Sequence, residues 1–135
     1  MSAEISPELV ERINQTYFVW FTTVRADGMP QPTPVWFVWE NGTFLIYSMP
    51  DAQKVRNIRA NPKVALSASA DEEADQFFVI MGEAAIDRQT PPVNQHPAYF
   101  AKYEQGIRDI GMTPESMAQT FSLPIRVAPI QVRAE

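Results

Sequence analysis

Apolar residues fall first at helical spacing and then in strand-length runs. Near the start, Leu9, Val10 and Ile13 recur three and four apart. Ser6 can cap a helix there, Pro7 fits its first turn, and Glu8 suits the positive end of its dipole. Three strand-like runs follow: YFVWFTTV at 17–24, TPVWFVW at 33–39 and TFLIYS at 43–48. Asp27-Gly28 and Asn41-Gly42 mark the turns between them, and turns this close together predict an antiparallel meander. These strands do not alternate. Tyr17 to Phe21 and Val35 to Trp39 are apolar on both faces, unlike a sheet with one wet side. One face then fills a barrel interior, and the other is covered by a helix, a ligand or a second subunit. The chain's three tryptophans, Trp20, Trp36 and Trp39, all lie here, and each reads first as core.

Beyond Pro50 the pattern changes period. Residues 51–60, DAQKVRNIRA, read as a helix with Asp51 as N-cap, ended by Asn61-Pro62. KVALSASA at 63–70 is a fourth strand, and the acidic run at 71–75 a solvated loop. A fifth strand starts at Gln76 and bends or bulges at Gly82. The prolines at 90–97 make a stiff connector, a helix runs from Pro97 to Ile110 and stops at Gly111, and Thr113-Pro114-Glu115 starts a last short helix. The final run, 122–135, is a strand that Pro124 and Pro129 place on an edge or at breaks. Six strands with short loops and inserted helices predict a mainly β fold, a small antiparallel barrel. The two-sided apolar second strand predicts a homodimer.

Composition narrows the chemistry more than the fold. A length of 135 residues suits a single domain over 1–135. The absence of cysteine excludes a disulfide scaffold, cysteine metal sites and a thiol nucleophile. The single histidine, His96, excludes a histidine-rich metal centre and leaves a Ser-His-Asp triad poorly supported. A net charge of -5 argues against nucleic acid as partner. No apolar run approaches the roughly 18 residues of a membrane span, and the acidic N-terminus lacks an apolar signal core. The expectation is a cytoplasmic protein with no membrane partner.

No nucleophile, base and orienter come together in the sequence, so no catalytic side chain and no metal site are predicted. Ser48, Ser67 and Ser69 have no nearby histidine, and His96 reads as a surface or capping residue. Glu83 and Asp87 share a strand face that reads as solvated. The one local anomaly is basic: Lys54, Arg56, Arg59 and Lys63 fall within ten residues of an acidic chain. Helical spacing makes Arg56, Arg59 and Lys63 a solvated face. Lys54 differs, because it sits in the first turn of a helix just after a strand ending Tyr47-Ser48. Free helix N–H groups, the dipole, a hydroxyl and an ammonium together suit a phosphate.

The stretch PTPVWFVWENGTFLIYSMPDAQKVRNIRANPKVAL resembles the pyridoxamine 5'-phosphate oxidase-like, flavin-binding split-barrel family. FTTVRADGMPQ and LPIRVAPIQVRAE extend the resemblance over about residues 8 to 133. It implies a six-stranded antiparallel Greek-key split β-barrel of the flavin-reductase, FMN-binding type. It also implies a homodimer with cofactor sites at the subunit interface. Phosphate would meet Ser48 and Lys54, and the cofactor ring would lie against the strand-two backbone of Pro34, Val35 and Trp36. Pyridoxamine phosphate oxidases carry cations in strand two and a basic residue before the helix lysine. Here strand two has no cation and Gln53 precedes Lys54, which argues against that substrate. PVWF and KVRNIRANPKVAL look more like the branch that uses the 8-hydroxy-5-deazaflavin coenzyme, whose oligoglutamate tail would give Arg56, Arg59 or Lys63 a partner. Arg56 and Asn57 complete the candidate cofactor-binding set. The resemblance implies an oxidoreductase moving a hydride between deazaflavin or FMN and a small organic substrate. Its alternatives are an FMN-dependent oxidase or reductase, and a non-catalytic flavin- or haem-binding protein with His96 as the available axial ligand.

Overall fold

A computed structural model of the chain describes residues 4–73 and 75–134. Ala74, in the expected acidic loop, and Glu135, at the expected end of the last strand, lie outside the described residues, as do residues 1–3 of the expected acidic N-terminus. The elements are α1 (Pro7–Gln15), β1 (Phe18–Val24), β2 (Pro30–Trp36), β3 (Val38–Glu40), β4 (Thr43–Ser48), α2 (Gln53–Ala60), β5 (Lys63–Ser69), β6 (Phe77–Ile86), α3 (Pro97–Asp109), α4 (Pro114–Thr120) and β7 (Leu123–Ala134). A short 3-10 turn at Val93–Gln95 sits in the proline-rich connector.

All strand pairs are antiparallel, in the order β2-β1-β5-β6-β7-β4-β3. The two end strands of that order, β2 and β3, are separated in the chain by Phe37 alone. A one-residue link between opposite margins brings those margins together, so the sheet curls into a split barrel.

Seven strands stand where six were expected, because the run 33–39 is two strands. The break has a physical cause. The Phe37 N–H donates to Tyr103 Oη at 2.8 Å, and its carbonyl accepts from Tyr103 Oη at 2.9 Å and Lys102 Nζ at 3.1 Å. Helix α3 thus takes both backbone groups that would have continued a ladder. Tyr103 also reaches the Tyr17 carbonyl at 2.6 Å, so one buried phenol ties α3 to the strand break and to the entry of β1.

Strand β7 decides a second expectation, an edge or breaks. It lies between β6 and β4, inside the sheet, which leaves breaks as the place for its prolines. Its prolines are placed where no ladder N–H is needed. Pro124 is the second residue of the strand, and Pro129 faces Gly82, where the β6–β7 register shifts between Met81 and Gly82. A Cβ on Gly82 would strike the Ala128 carbonyl, so the expected bulge requires glycine.

Helix α2 corrects a third. Its N-cap is Ala52, which offers no side-chain bond, and the helix begins at Gln53. Asp51 falls one residue early, in a turn closed by the Ala52 N–H on the Met49 carbonyl at 3.2 Å. The other three helices are capped by side chains: Ser6 on Leu9, His96 on Tyr99, and a reciprocal Thr113–Ser116 box.

Two hydrophobic clusters result. Phe21, Phe37, Phe44, Ile46, Leu66, Ile80, Ile125 and their neighbours fill the barrel. Leu45 and Tyr47 point the other way from β4 and pack with Tyr99, Tyr103, Ile107 and Met117 beneath α3 and α4. Strand β4, apolar from Phe44 to Tyr47, is therefore covered by the barrel on one face and by helices on the other.

Candidate functional site

The same pattern on β1 is answered differently. Val19 and Phe21 enter the barrel, while Phe18 and Trp20 turn outward and remain 47% and 46% exposed. The register sets Phe18 opposite Trp36 and Trp20 opposite Pro34, so these four side chains share the outer face of β1 and β2. This face is one wall of a cavity of about 510 Å³, within the usual range for small-molecule sites. Tyr99, Ile110, Met117 and Phe121 supply the opposing wall from α3, α4 and their ends. Tyr47 and Lys54 complete the lining. Val35 lines it too, but its side chain belongs to the barrel core, so strand β2 meets the cavity there with backbone. A second groove of about 830 Å³ lies across Phe18 and Trp20, lined by Arg12, Ser67, Ser69 and Gln76 among others.

Trp36 is held firmly. Its indole stacks on the Tyr103 ring at 4.6 Å with an interplanar angle of 6°, and Tyr17 meets it edge-on at 5.9 Å. A Cβ on Gly106 would collide with the Tyr17 hydroxyl, so glycine in α3 lets this aromatic cluster close.

Lys54 is the one charged residue lining the cavity. It is half-buried, and burial lowers its pKa from the ordinary lysine value. Among the described residues its ammonium has neither an ion pair nor a hydrogen bond, and the backbone N–H groups of Gln53 and Lys54 in the first turn of α2 find no acceptor either. A desolvated ammonium beside uncapped helix N–H groups is an arrangement that an anion completes.

The wall formed by α3 is anchored by a polar knot. Glu40 accepts from His96 Nε2 at 3.0 Å and from Arg126 at 2.8 Å. Arg126 also reaches Asp87 at 3.4 Å and Thr90 Oγ1 at 2.9 Å. Burial alone would raise the Glu40 carboxyl, but the hydrogen bonds from His96 and Arg126 outweigh it and hold the pKa below the usual value. His96 Nδ1 accepts the Tyr99 N–H at 3.1 Å, so Nε2 carries the proton that faces Glu40. The histidine reads correctly as a cap. With both ring nitrogens engaged and 7% exposure, it offers no lone pair to a haem iron.

Of the sequence-predicted site residues, Pro34, Val35, Trp36 and Lys54 line one cavity. Ser48 does not line it: the side chain is buried at the end of β4 and its Oγ donates to the Met49 carbonyl at 2.9 Å. Arg56 is held at the surface by the Asp51 carbonyl and Gln53 Oε1, at 2.7 and 2.6 Å. Asn57 is buried and bonds Thr23, Gln31 and Gln53, tying α2 to the β1–β2 pair. Arg59 lines a shallow groove elsewhere with Asp87 and Arg88. Tyr99, Met117 and Phe121 were not singled out from the sequence. They look like ordinary core positions on short helices, and only the docking of α3 and α4 turns them towards strand β2.

The curled sheet and its cavity define a split barrel of the FMN-binding type. The family model for pyridoxamine 5'-phosphate oxidase matches residues 5–128, and the chain belongs to that family. No curated protein matches the chain. Among solved structures, an F420 reductase is 26% identical, with a TM-score of 0.73, covering 96% of this chain and 100% of its own. A conserved hypothetical protein from Mycobacterium tuberculosis is 16% identical with a TM-score of 0.77, covering 98% of this chain and 85% of its own. HutZ, the haem storage protein from Vibrio cholerae, is 18% identical with a TM-score of 0.67, covering 98% and 95%. The last two similarities concern the fold alone. No described helix is long and apolar enough to cross a membrane.

Proposed function

We propose that the chain is an oxidoreductase that binds a phosphate-bearing deazaflavin, the F420 type, or FMN in the Lys54 cavity and passes a hydride between it and a small organic substrate. The observation that carries this reading is the unpaired, desolvated Lys54 ammonium at the open end of α2, in the same cavity as the β2 backbone. Lys54 and the first-turn N–H groups would hold the phosphate. The free margin of β2 would bind the ring edge, and Trp36, fixed by its stack on Tyr103, would wall the ring plane. The bound ring supplies the hydride chemistry, while this chain binds it, orients it and keeps water from it. The lining holds one cation, which serves one phosphate and leaves none to clamp a second on a vitamin substrate. The F420 reductase similarity favours the deazaflavin, with FMN as the alternative.

The uncovered Phe18–Trp20 face beside the cavity supports a homodimer in which a second copy closes the site. Titration of the apo-protein with FMN and with F420, in both redox states, tests the reading. Saturable binding of one of them, weakened by Lys54→Ala, is expected. Binding of neither, or binding indifferent to Lys54, would overturn it.

A further inference from the structure

Three buried tyrosines pack together at the helix wall: Tyr47, Tyr99 and Tyr103. Two of their hydroxyls are spent on the protein. Tyr47 donates to the Pro91 carbonyl at 2.5 Å, and Tyr103 is engaged by Phe37 and Tyr17. Tyr99 is different. It is 2% exposed, yet its hydroxyl has no hydrogen-bond partner among the described residues. No side-chain polar atom among them is both sealed and unpartnered, so the sliver of exposed surface on Tyr99 includes that hydroxyl, and Tyr99 lines the cavity. A buried phenol left open on an apolar cavity is a donor waiting for an acceptor.

Its position is fixed. The Tyr99 N–H caps onto His96, and the ring is wedged between Tyr47 at 4.9 Å and Tyr103 at 4.8 Å. Burial and the neighbouring phenols raise its pKa well above the ordinary value, so the hydroxyl keeps its proton throughout the working range. Around it stand Trp20, Trp36 and Phe121, which favour a flat ligand, and no charged residue other than Lys54.

We propose that the Tyr99 hydroxyl donates the orienting hydrogen bond to a planar, uncharged substrate bearing a conjugated carbonyl oxygen, seated on the α3–α4 side of the cavity, across the cofactor ring from the β2 wall. This deepens the reading above and rests on it for calling the ligand a substrate. With Lys54 given to the phosphate, the remaining lining offers nothing to a charged substrate. It does offer aromatic surface to a flat one and, in the Tyr99 hydroxyl, a fixed donor to its oxygen.

A shape-matched pair of probes tests the donor: 2-acetylnaphthalene, with a conjugated carbonyl, and 2-ethylnaphthalene, without one. Their dissociation constants are measured by equilibrium dialysis against the protein carrying its oxidised cofactor, and against the protein as purified. The wild type should prefer the ketone. Tyr99→Phe should reduce that preference about fivefold, leave 2-ethylnaphthalene binding unchanged and leave the melting temperature unchanged, because the lost hydroxyl had no protein partner. A wild type without preference, or a preference that survives in Tyr99→Phe, would overturn the assignment. So would an unchanged probe ratio with a loss in FMN or F420 affinity, which would give the hydroxyl to the cofactor. Failure of both cofactors to bind sinks the parent reading instead, and leaves the probe ratio on the purified protein to judge Tyr99 separately.

Discussion

Strands β1 and β4 present the same puzzle in sequence, apolar residues on both faces, and the fold solves it in two ways. On β4 the outer residues Leu45 and Tyr47 pack beneath α3 and α4 and are almost fully buried, Tyr47 meeting the cavity with only a sliver of surface. On β1 the outer residues Phe18 and Trp20 are left half exposed and wall a cavity. The difference follows from the polar groups that fasten the cover. Glu40, His96, Arg126, Lys102 and Tyr103 pin α3 against Phe37, β3 and β7, whereas among the described residues no such set fastens a helix over the outer face of β1. An apolar stripe records that something covers a surface. The polar residues around it record whether the chain itself supplies the cover.

The largest expected contrast is in stability. Leu45→Ala should cost about 3 kcal/mol, the usual loss for a leucine truncated in a closed core. Trp20→Ala should cost the folded monomer about 0.5 kcal/mol or less, as at other surface positions. Denaturant melts at low protein concentration measure both, and equal losses would erase the distinction between sealed and open faces. Sedimentation at micromolar concentration then asks whether a second copy covers β1. A dimer mass in the wild type that shifts towards monomer in Trp20→Glu is the expected pair of results.

Lys54 gives the next largest effect, on binding and not on stability. Lys54→Ala should weaken FMN or F420 binding by about tenfold to a hundredfold, the weight of a charge-assisted hydrogen bond of roughly 1.5 to 3 kcal/mol. Burial lowers the Lys54 pKa, so less ammonium remains at alkaline pH than for an ordinary lysine. Affinity should therefore fall as pH rises, starting below the ordinary lysine value of 10.5. The substitution should flatten that profile. An alkaline loss that persists unchanged in Lys54→Ala would place the titrating group elsewhere.

The knot that fastens the sealed face has its own pH signature. The Glu40 carboxyl is held below 4.5, so its contribution is present above that value and lost as pH falls through the lower folded-state pKa. Glu40→Gln should remove about 1 kcal/mol at neutral pH, a modest figure because the pair is partly exposed to solvent. It should also make stability less sensitive to acid. Melting temperatures of both proteins across the acid range provide the check, and parallel curves would show that Glu40 is not the group.

Much of this was legible in the sequence, for reasons that differ by element. The turns at Asp27-Gly28 and Asn41-Gly42 are local: Gly28, Asn41 and Gly42 all adopt positive φ. The bulge at Gly82 and the caps at Ser6 and Thr113 are equally local signals. The break at Phe37 was not legible, because its cause is Tyr103, 66 residues away. The interior place of β7 was hidden because its prolines say only that two N–H groups are missing, not which neighbours lie alongside. At the candidate site, Lys54 could be found because it opens a helix just after a strand end, while the 34–36 segment was reached only through the family resemblance. Tyr99 could not, since nothing in PAYFAKYEQ distinguishes the tyrosine with a free hydroxyl from the one whose hydroxyl holds a strand apart.

The smallest expected effect belongs to Arg59, and its smallness is informative. It shares a helix with Lys54, five residues on, and any reading of the basic cluster as one anion-binding face would weight the two alike. The structure separates them. Lys54 enters the cavity, while Arg59 lines a shallow groove with Ile86, Asp87, Arg88 and Gln89. An exposed arginine there is screened by solvent and is worth about 1 kcal/mol or less to any ligand it reaches. Arg59→Ala should change FMN affinity less than about fivefold and leave the melting temperature nearly unchanged. With F420 its effect should be larger than with FMN only if the oligoglutamate tail extends from the phosphate across the outer face of α2. Dissociation constants for both cofactors, on wild type, Lys54→Ala and Arg59→Ala at one ionic strength, decide the matter. If Arg59→Ala loses more affinity than Lys54→Ala with both cofactors, the anion lies in the Arg59 groove, and the open face of β1 is not where the cofactor binds.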